Sequence, residues 1–210
     1  MIFDHEKHYR TAEVVERLHT FPVTICGAGA LGANIAENLA RSGFTLLTLI
    51  DNDRIEERNL STQPYEHRDI GAFKTRMMAH RLYRAVGAQV DARMQRLTEA
   101  NCHQLLGDGR MVVDAFDNSI SRRVVRDWCT EAKKPCLHVG LAAGYAEIIW
   151  NDRYRVPSAA HDDVCDYPLA RNLVILAVAV ACEVIVTFAA TSMQQSYTVT
   201  LEDFAVRPLV

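Results

Sequence analysis

The sequence predicts an α/β fold: a doubly wound, mainly parallel sheet that ends in antiparallel C-terminal strands. Three observations predict it. Short apolar, β-branched runs alternate with segments of helical periodicity as far as residue 141, the mark of repeated βα units. A glycine-rich hexapeptide joins the first such run to the first long helix. After Gly144 the alternation changes, and the remaining strands are separated by a polar loop and one long apolar helix.

Taken in order, residues 1–20 read as one short helix with Val14, Val15 and Leu18 on one face. Pro22 to Cys26 is a strand that ends in glycine. Leu31 to Ser42 is a helix stopped by Gly43. Phe44 to Ile50 is continuously apolar, as a parallel strand covered on both faces must be. Residues 51–70 form a polar loop, and Lys74 to Val86 is a helix closed by Gly87. Ala88 to Leu97 alternates as a strand, Glu99 to Leu106 is a short helix, and Met111 to Ala115 is another buried strand. A helix over Ser119 to Ala132 leads to the strand Cys136 to Leu141. Tyr145 to Trp150 is a strand, 151–167 a polar loop, 168–190 an apolar helix, and Tyr197 to Val206 a terminal hairpin or edge pair. No repeat, low-complexity segment or linker interrupts the pattern. A single domain over 1–210, with residues 1–20 as a helical arm, is expected.

Composition narrows the function classes. With 210 residues and 49% hydrophobic content the chain fills one full core. A net charge of -3, from 23 basic and 26 acidic residues, gives no basic excess for nucleic acid. The polar start MIFDHEKHYR is not a secretory signal, and six scattered cysteines with no CxxC pair suit reduced thiols in a cytoplasm. Leu173 to Ala190 is apolar except for Glu183 and has borderline length for a membrane span. A mid-span Glu is costly in lipid, and no second segment supports insertion. The stretch is expected to be a core helix covered on all sides.

The motifs that carry chemistry cluster at the carboxyl ends of the expected strands. Gly27-Ala28-Gly29-Ala30-Leu31-Gly32 lies between a strand and a helix, where glycines let phosphate approach the backbone and the helix N-terminus offers unpaired N–H groups. Asp51, at the end of the second strand, suits ribose hydroxyls. Up to this point NAD, FAD and ATP fit equally. The next residues divide them. The loop from Asp53 through Arg58, Asn59 and Gln63 brings cationic and amide donors beside the phosphate site. Lys74 stands in the first turn of a helix, where the dipole opposes it unless an anion is bound. Asp117, in Asp114-Ala115-Phe116-Asp117-Asn118, is a strand-end carboxylate suited to Mg²⁺, although an N-cap role for Asp117 or Asn118 fits as well. A dinucleotide leaves the lysine and the metal carboxylate idle, so ATP with Mg²⁺ is the better match.

The ordered set GAGALG, LIDND, RNLSTQ, GAFK and DAFDNSISRR resembles the ThiF/MoeB/HesA family of adenylyltransferases, which are related to ubiquitin-activating enzymes. The likeness is strong over about residues 20 to 140. It implies a Rossmann-like fold and attack of a C-terminal carboxylate on the α-phosphorus of ATP, releasing pyrophosphate. The implied substrate is a β-grasp protein, ubiquitin-like or sulfur-carrying, or a short peptide. Carried over by motif, Gly27, Gly29 and Gly32 hold phosphates, Asp51 holds ribose, and Asn59, Gln63 and Lys74 contact phosphate. Asp117 binds Mg²⁺, and Arg122 is a structural partner. The chain departs from the family at Thr62, where an arginine is usual, and in lacking paired CxxC zinc ligands.

The resemblance also implies pairing of chains, most simply a homodimer. Arg10 is a candidate trans contact, against the plainer reading of a solvent-exposed arginine. Cys165, in HDDVCDYP before the apolar helix, sits where thioester-forming members carry their cysteine, and Glu183 matches the Glu of the family's helix motif. Cys26, Cys102, Cys129, Cys136 and Cys182 read as core or inert, and His138 as a satisfied strand residue. Two other function classes compete: a non-catalytic partner subunit of a heterodimeric activating enzyme, and an NAD-dependent oxidoreductase.

Overall fold

The computed structural model describes residues 2–158 and 169–209. Its strands are β1 Val23–Cys26, β2 Leu46–Ile50, β3 Gln89–Arg93, β4 Met111–Asp114, β5 Cys136–Ala142, β6 Tyr145–Trp150, β7 Tyr197–Thr200 and β8 Val206–Pro208. The helices are α1 Asp4–Arg10, α2 Ala12–His19, α3 Ala30–Ser42, α4 Lys74–Val86, α5 Cys102–Leu106, α6 Ser119–Glu131 and α7 Arg171–Thr191. One sheet holds all eight strands in the order β3-β2-β1-β4-β5-β6-β7-β8. The first five in that order are parallel, and β6, β7 and β8 are added antiparallel. This is the expected architecture.

The switch from parallel to antiparallel is made by two residues. Ala143 and Gly144 both have positive φ, 47° and 93°, the backbone of a tight hairpin whose twist matches its strands. A chain that reverses in two residues has no room for a crossover helix, so β6 returns beside β5. Strand order reverses between β1 and β4, since β2 and β3 lie on one side and β5 on the other. A crevice opens at such a point, above the carboxyl ends of the two strands.

Alternate side chains of the inner strands feed two cores. Ile25, Met111, Val113, Leu137 and Val139 pack with α3, α4 and α7 on one face. Cys26, Val112 and Cys136 pack with α5 and α6 on the other. With both faces covered, β1 and β4 are buried at every position, which explains their continuous apolar runs.

Four differences from expectation have local causes. The N-terminal arm is two helices, because Thr11 at φ 84° breaks the turn and its hydroxyl accepts the Val14 N–H. β3 is shorter than the alternating run, ending at Arg93 where its neighbour β2 ends at Ile50. α5 starts at Cys102, because Asn101 turns the preceding chain back by accepting the Thr98 N–H. Finally, α7 is the one helix among the described residues long and apolar enough to cross a membrane. It packs instead against α3 and the sheet through Leu173, Val174, Ala177, Ala181 and Ile185. It is not covered on all sides: Ile175, Ala179 and Glu183, four residues apart on one stripe, face outward.

Candidate active site

The glycine loop follows β1 into the β1/β4 crevice. A Cβ on Gly32 would stand 1.9 Å from the Gly27 carbonyl oxygen, so the helix can meet the loop only without a side chain there. Gly27 has φ 96°, and a Cβ would come within 2.9 Å of the Ala115 carbonyl. Gly29 differs, since the space around it is open and nothing blocks approach to its backbone. It is the N-cap of α3 and supplies no side-chain cap, so the first N–H groups of a 13-residue helix point to the opening. The Ala115 N–H donates to the Cys26 carbonyl, which ties this loop to the turn after β4.

Asp51 braces the same loop. One carboxylate oxygen accepts the Ala28 N–H at 2.6 Å and the other the Asp53 N–H at 2.7 Å. Burial pushes the Asp51 carboxyl above its ordinary value, against the opposing effects of those two N–H donors and of Lys74. Each oxygen keeps a second lone pair. Tyr65 adds another brace by donating its hydroxyl to the Ala28 carbonyl at 2.8 Å.

Lys74 is buried at the start of α4. Its N–H donates to the Asp53 carbonyl and its ammonium to the Asp53 carboxylate, both at 3.0 Å. The dipole argument thus meets an anion of the chain itself, and Asp53 is 59% exposed. Asn59 uses its Oδ1 in a capping box with Glu56, which leaves its amide N–H₂ as the free donor end. Arg58 donates to the Glu56 carboxylate at 2.6 Å and stays near the surface. Gln63 is buried, and its Oε1 has no hydrogen-bond partner among the described residues, an exception that a bound ligand or water would remove. At the departure position, Thr62 is buried and its carbonyl takes the Asn34 side-chain N–H at 2.9 Å. A cation still comes close: Arg171, at the start of α7, reaches the adjacent Ser61 carbonyl at 3.4 Å.

On the far side of the crevice, the N-cap question is settled by geometry. Asn118 caps α6 by accepting the Ser121 N–H at 2.9 Å, so Asp117 is left exposed. No group of three or more His, Cys, Asp or Glu able to hold a metal occurs among the described residues. Asp117 is a single exposed carboxylate, a type of ligand that a cation shared with phosphates can use.

Beneath that turn lies a polar cluster that sequence reasoning saw only in part. Asp114 is fully buried, and its carboxylate accepts the Phe116 N–H at 3.1 Å. Burial raises its carboxyl, but Arg122, 3.7 Å away, and the His138 hydrogen bond outweigh burial and hold it below the usual range. Arg122 is buried and also donates to the Val139 carbonyl and the Tyr154 hydroxyl, the structural role expected of it. His138 is a satisfied strand residue, as expected. The missed members are Asp114, Tyr154 and Asn151. Only the position of Asp114 at a strand end hinted at its role.

Arg10 corrects one expectation. It does not stand in solvent: its side chain is 13% exposed, and Glu6 and Glu183 of the same chain bind it, Glu183 through both carboxylate oxygens. Glu183 thus acts here as the partner of the N-terminal arm. Cys165, with His161, Asp162 and Asp163, lies outside the described residues. The remaining five cysteines are free and buried.

Comparison with known proteins follows the same lines. The ThiF family profile matches residues 7–197. A sulfur carrier protein adenylyltransferase of Thermus thermophilus is 33% identical over 123 residues, covering 57% of this chain and 45% of that protein. A sulfur carrier protein ThiS adenylyltransferase of Bacillus subtilis is 31% identical over 134 residues, covering 62% and 40%. The chain thus spans less than half the length of these two relatives. Among solved structures, E. coli MccB with AMPCPP and MccA superposes with a TM-score of 0.83 at 17% identity, over 98% of this chain and 68% of that one. At that identity the likeness establishes the fold alone.

Proposed function

Because this chain belongs to the ThiF family, we propose that it uses ATP to adenylate a C-terminal carboxylate and releases pyrophosphate. The acceptor would be a β-grasp protein, ubiquitin-like or sulfur-carrying, or a peptide. One observation carries the reading: the glycine loop is tied through Asp51 to the segment whose Asp53 holds the buried ammonium of Lys74 at the start of α4, and through the Ala115 N–H to the turn that presents the exposed carboxylate of Asp117. A triphosphate with its cation uses both groups, and a dinucleotide uses neither.

The chemistry needs no protein nucleophile, since the substrate carboxylate itself attacks phosphorus. What the protein must supply is positioning and charge neutralisation. The α3 N–H groups would hold phosphate oxygens, with Lys74 and the amide ends of Asn59 and Gln63 beside them. Asp51 would offer its spare lone pairs to ribose. Mg²⁺, held through Asp117, would neutralise the phosphates and assist departure of pyrophosphate.

The test is nucleotide titration by calorimetry followed by pyrophosphate exchange with β-grasp proteins and short peptides. Binding of ATP with Mg²⁺, no response to NAD, and exchange that requires one acceptor are the expected results. Tight NAD binding with no ATP response would sink the reading. ATP binding without exchange for any acceptor would favour the non-catalytic partner subunit.

The protein is also proposed to be a homodimer. The outward stripe of Ile175 and Ala179 on α7, with Leu176 and Val180 half-buried beside it, is apolar surface that closed twofold pairing would cover. Light scattering at working concentration should give twice the 23.6 kDa chain mass. A monomer mass overturns this.

A further inference from the structure

Topology sets the end of the molecule at which α7 begins. β7 lies antiparallel to β6, and β6 to β5, so β7 runs in the direction of β1 and β4. Only residues 192–196 join α7 to β7, which puts the C-terminus of α7 at the amino end of those strands. The helix packs beside α3 and starts at the opposite end, where α3 also starts. Arg171, the first residue of α7, therefore stands at the carboxyl end of β1 and β4, as the glycine loop does.

Hydrogen bonds fix the position more closely. Arg171 Nη1 donates to the Ser61 carbonyl at 3.4 Å. The next carbonyl, that of Thr62, accepts Asn34 Nδ2 at 2.9 Å, and the same nitrogen donates to the Ala30 carbonyl at 2.6 Å. Ala30 opens α3, whose first N–H groups have no side-chain cap. A second tie is the Tyr65 hydroxyl, which donates to the Ala28 carbonyl at 2.8 Å. Segment 61–65 is thus fastened to the glycine loop at two points, and the Arg171 guanidinium lies on that segment.

Its neighbours are committed and Arg171 is not. Residues 51–74 carry Arg54, Arg58, Arg68 and Lys74. Arg54 donates to the Gly71 carbonyl and lies over the Phe73 ring. Arg58 holds Glu56, Arg68 holds Glu66 and Lys74 holds Asp53. Arg171 is exposed, and among the described residues it has one long hydrogen bond to a carbonyl and no carboxylate partner. It also stands in the first turn of a 21-residue helix with no acidic residue in that turn, where the dipole opposes a cation. A guanidinium has five N–H donors in a fork that matches phosphate oxygens. Here all but one of them are unspent.

We infer that Arg171 turns from the Ser61 carbonyl onto the phosphate chain of ATP and is a further nucleotide-binding residue of the crevice. Rotation of one exposed side chain is all the movement required. The inference rests on the proposed function and deepens it. An acceptor carboxylate is the other oxyanion within the same chemistry. Phosphate is favoured because segment 61–65 is fastened to the very loop whose helix presents N–H groups for it.

Calorimetric titration of wild type, Arg171→Ala and Arg171→Lys with ATP and Mg²⁺, and separately with adenosine, tests it. ATP affinity should fall about tenfold in Arg171→Ala, the loss of one charge-assisted hydrogen bond at an exposed site, and by less in Arg171→Lys. Adenosine carries base and ribose without phosphate and should bind all three alike. An equal loss for both ligands marks a disturbed loop and overturns the inference. Unchanged ATP affinity in Arg171→Ala overturns it too. If that result comes with a raised KM for the acceptor in pyrophosphate exchange, the guanidinium belongs to the acceptor carboxylate instead. Should Arg171→Ala fail to fold, Arg171→Gln keeps a polar stem without the charge and is read in the same way. A wild type that binds no ATP removes the proposed function and this residue's role together, whereas wild-type binding that the variants share removes the role alone.

Discussion

Lys74→Ala and Asp117→Ala should each lower pyrophosphate exchange by roughly 10²–10³, the usual loss when one preorganised electrostatic contact is removed from a transition state. In the proposed mechanism both groups would act on charge that develops on the phosphates. Folding should survive in both variants. Asp117 is exposed and caps nothing, because Asn118 does that work. Lys74 leaves behind Asp53, whose carboxylate is 59% exposed and can be solvated, and the buried Asp51, which keeps its two backbone N–H donors. Thermal unfolding that matches the wild type, together with the lost exchange, is the expected pair of results. Exchange within threefold of the wild type in either variant removes that residue from the mechanism.

Asp114→Ala should produce the largest loss of stability, about 3–5 kcal/mol, because it strands buried positive charge. Arg122 and His138 both depend on this one carboxylate, and water cannot replace it at a site with no exposure. For a chain of this length that is a fall in Tm of roughly 6–20 °C. The pH dependence has a definite sign. The folded carboxyl lies below its ordinary value of 3.8, so its contribution is present above pH 3.8 and is lost as pH falls through the lower folded value. The gap between wild type and variant should therefore be full near neutrality and close in acid. Denaturant unfolding at neutral and strongly acidic pH measures it, and a gap that does not narrow in acid refutes the ion-pair account.

Several elements were legible from local signals because their causes are local. α3 and α4 end where Gly43 and Gly87 adopt positive φ, and no tertiary contact is needed to read that. A continuous apolar run announced β4, buried at every position, since strands covered on both faces admit few polar residues. The ends of β3 and the break at Thr11 were not legible, because each depends on a neighbour's length or on one backbone angle.

The site divides in the same way. Sequence alone determined the doubly wound sheet, the glycine loop, and the placement of Asp51, Lys74 and Asp117 at strand ends and helix starts, because periodicity and glycine spacing encode these directly. Tertiary structure alone decided which partner each charge took. Asp53 holds Lys74, Glu183 holds Arg10, and Asp114 is shared by Arg122 and His138. Those pairings join residues far apart in the chain. Burial forces each charge to find a partner, and only the folded path of the backbone determines which one lies within reach.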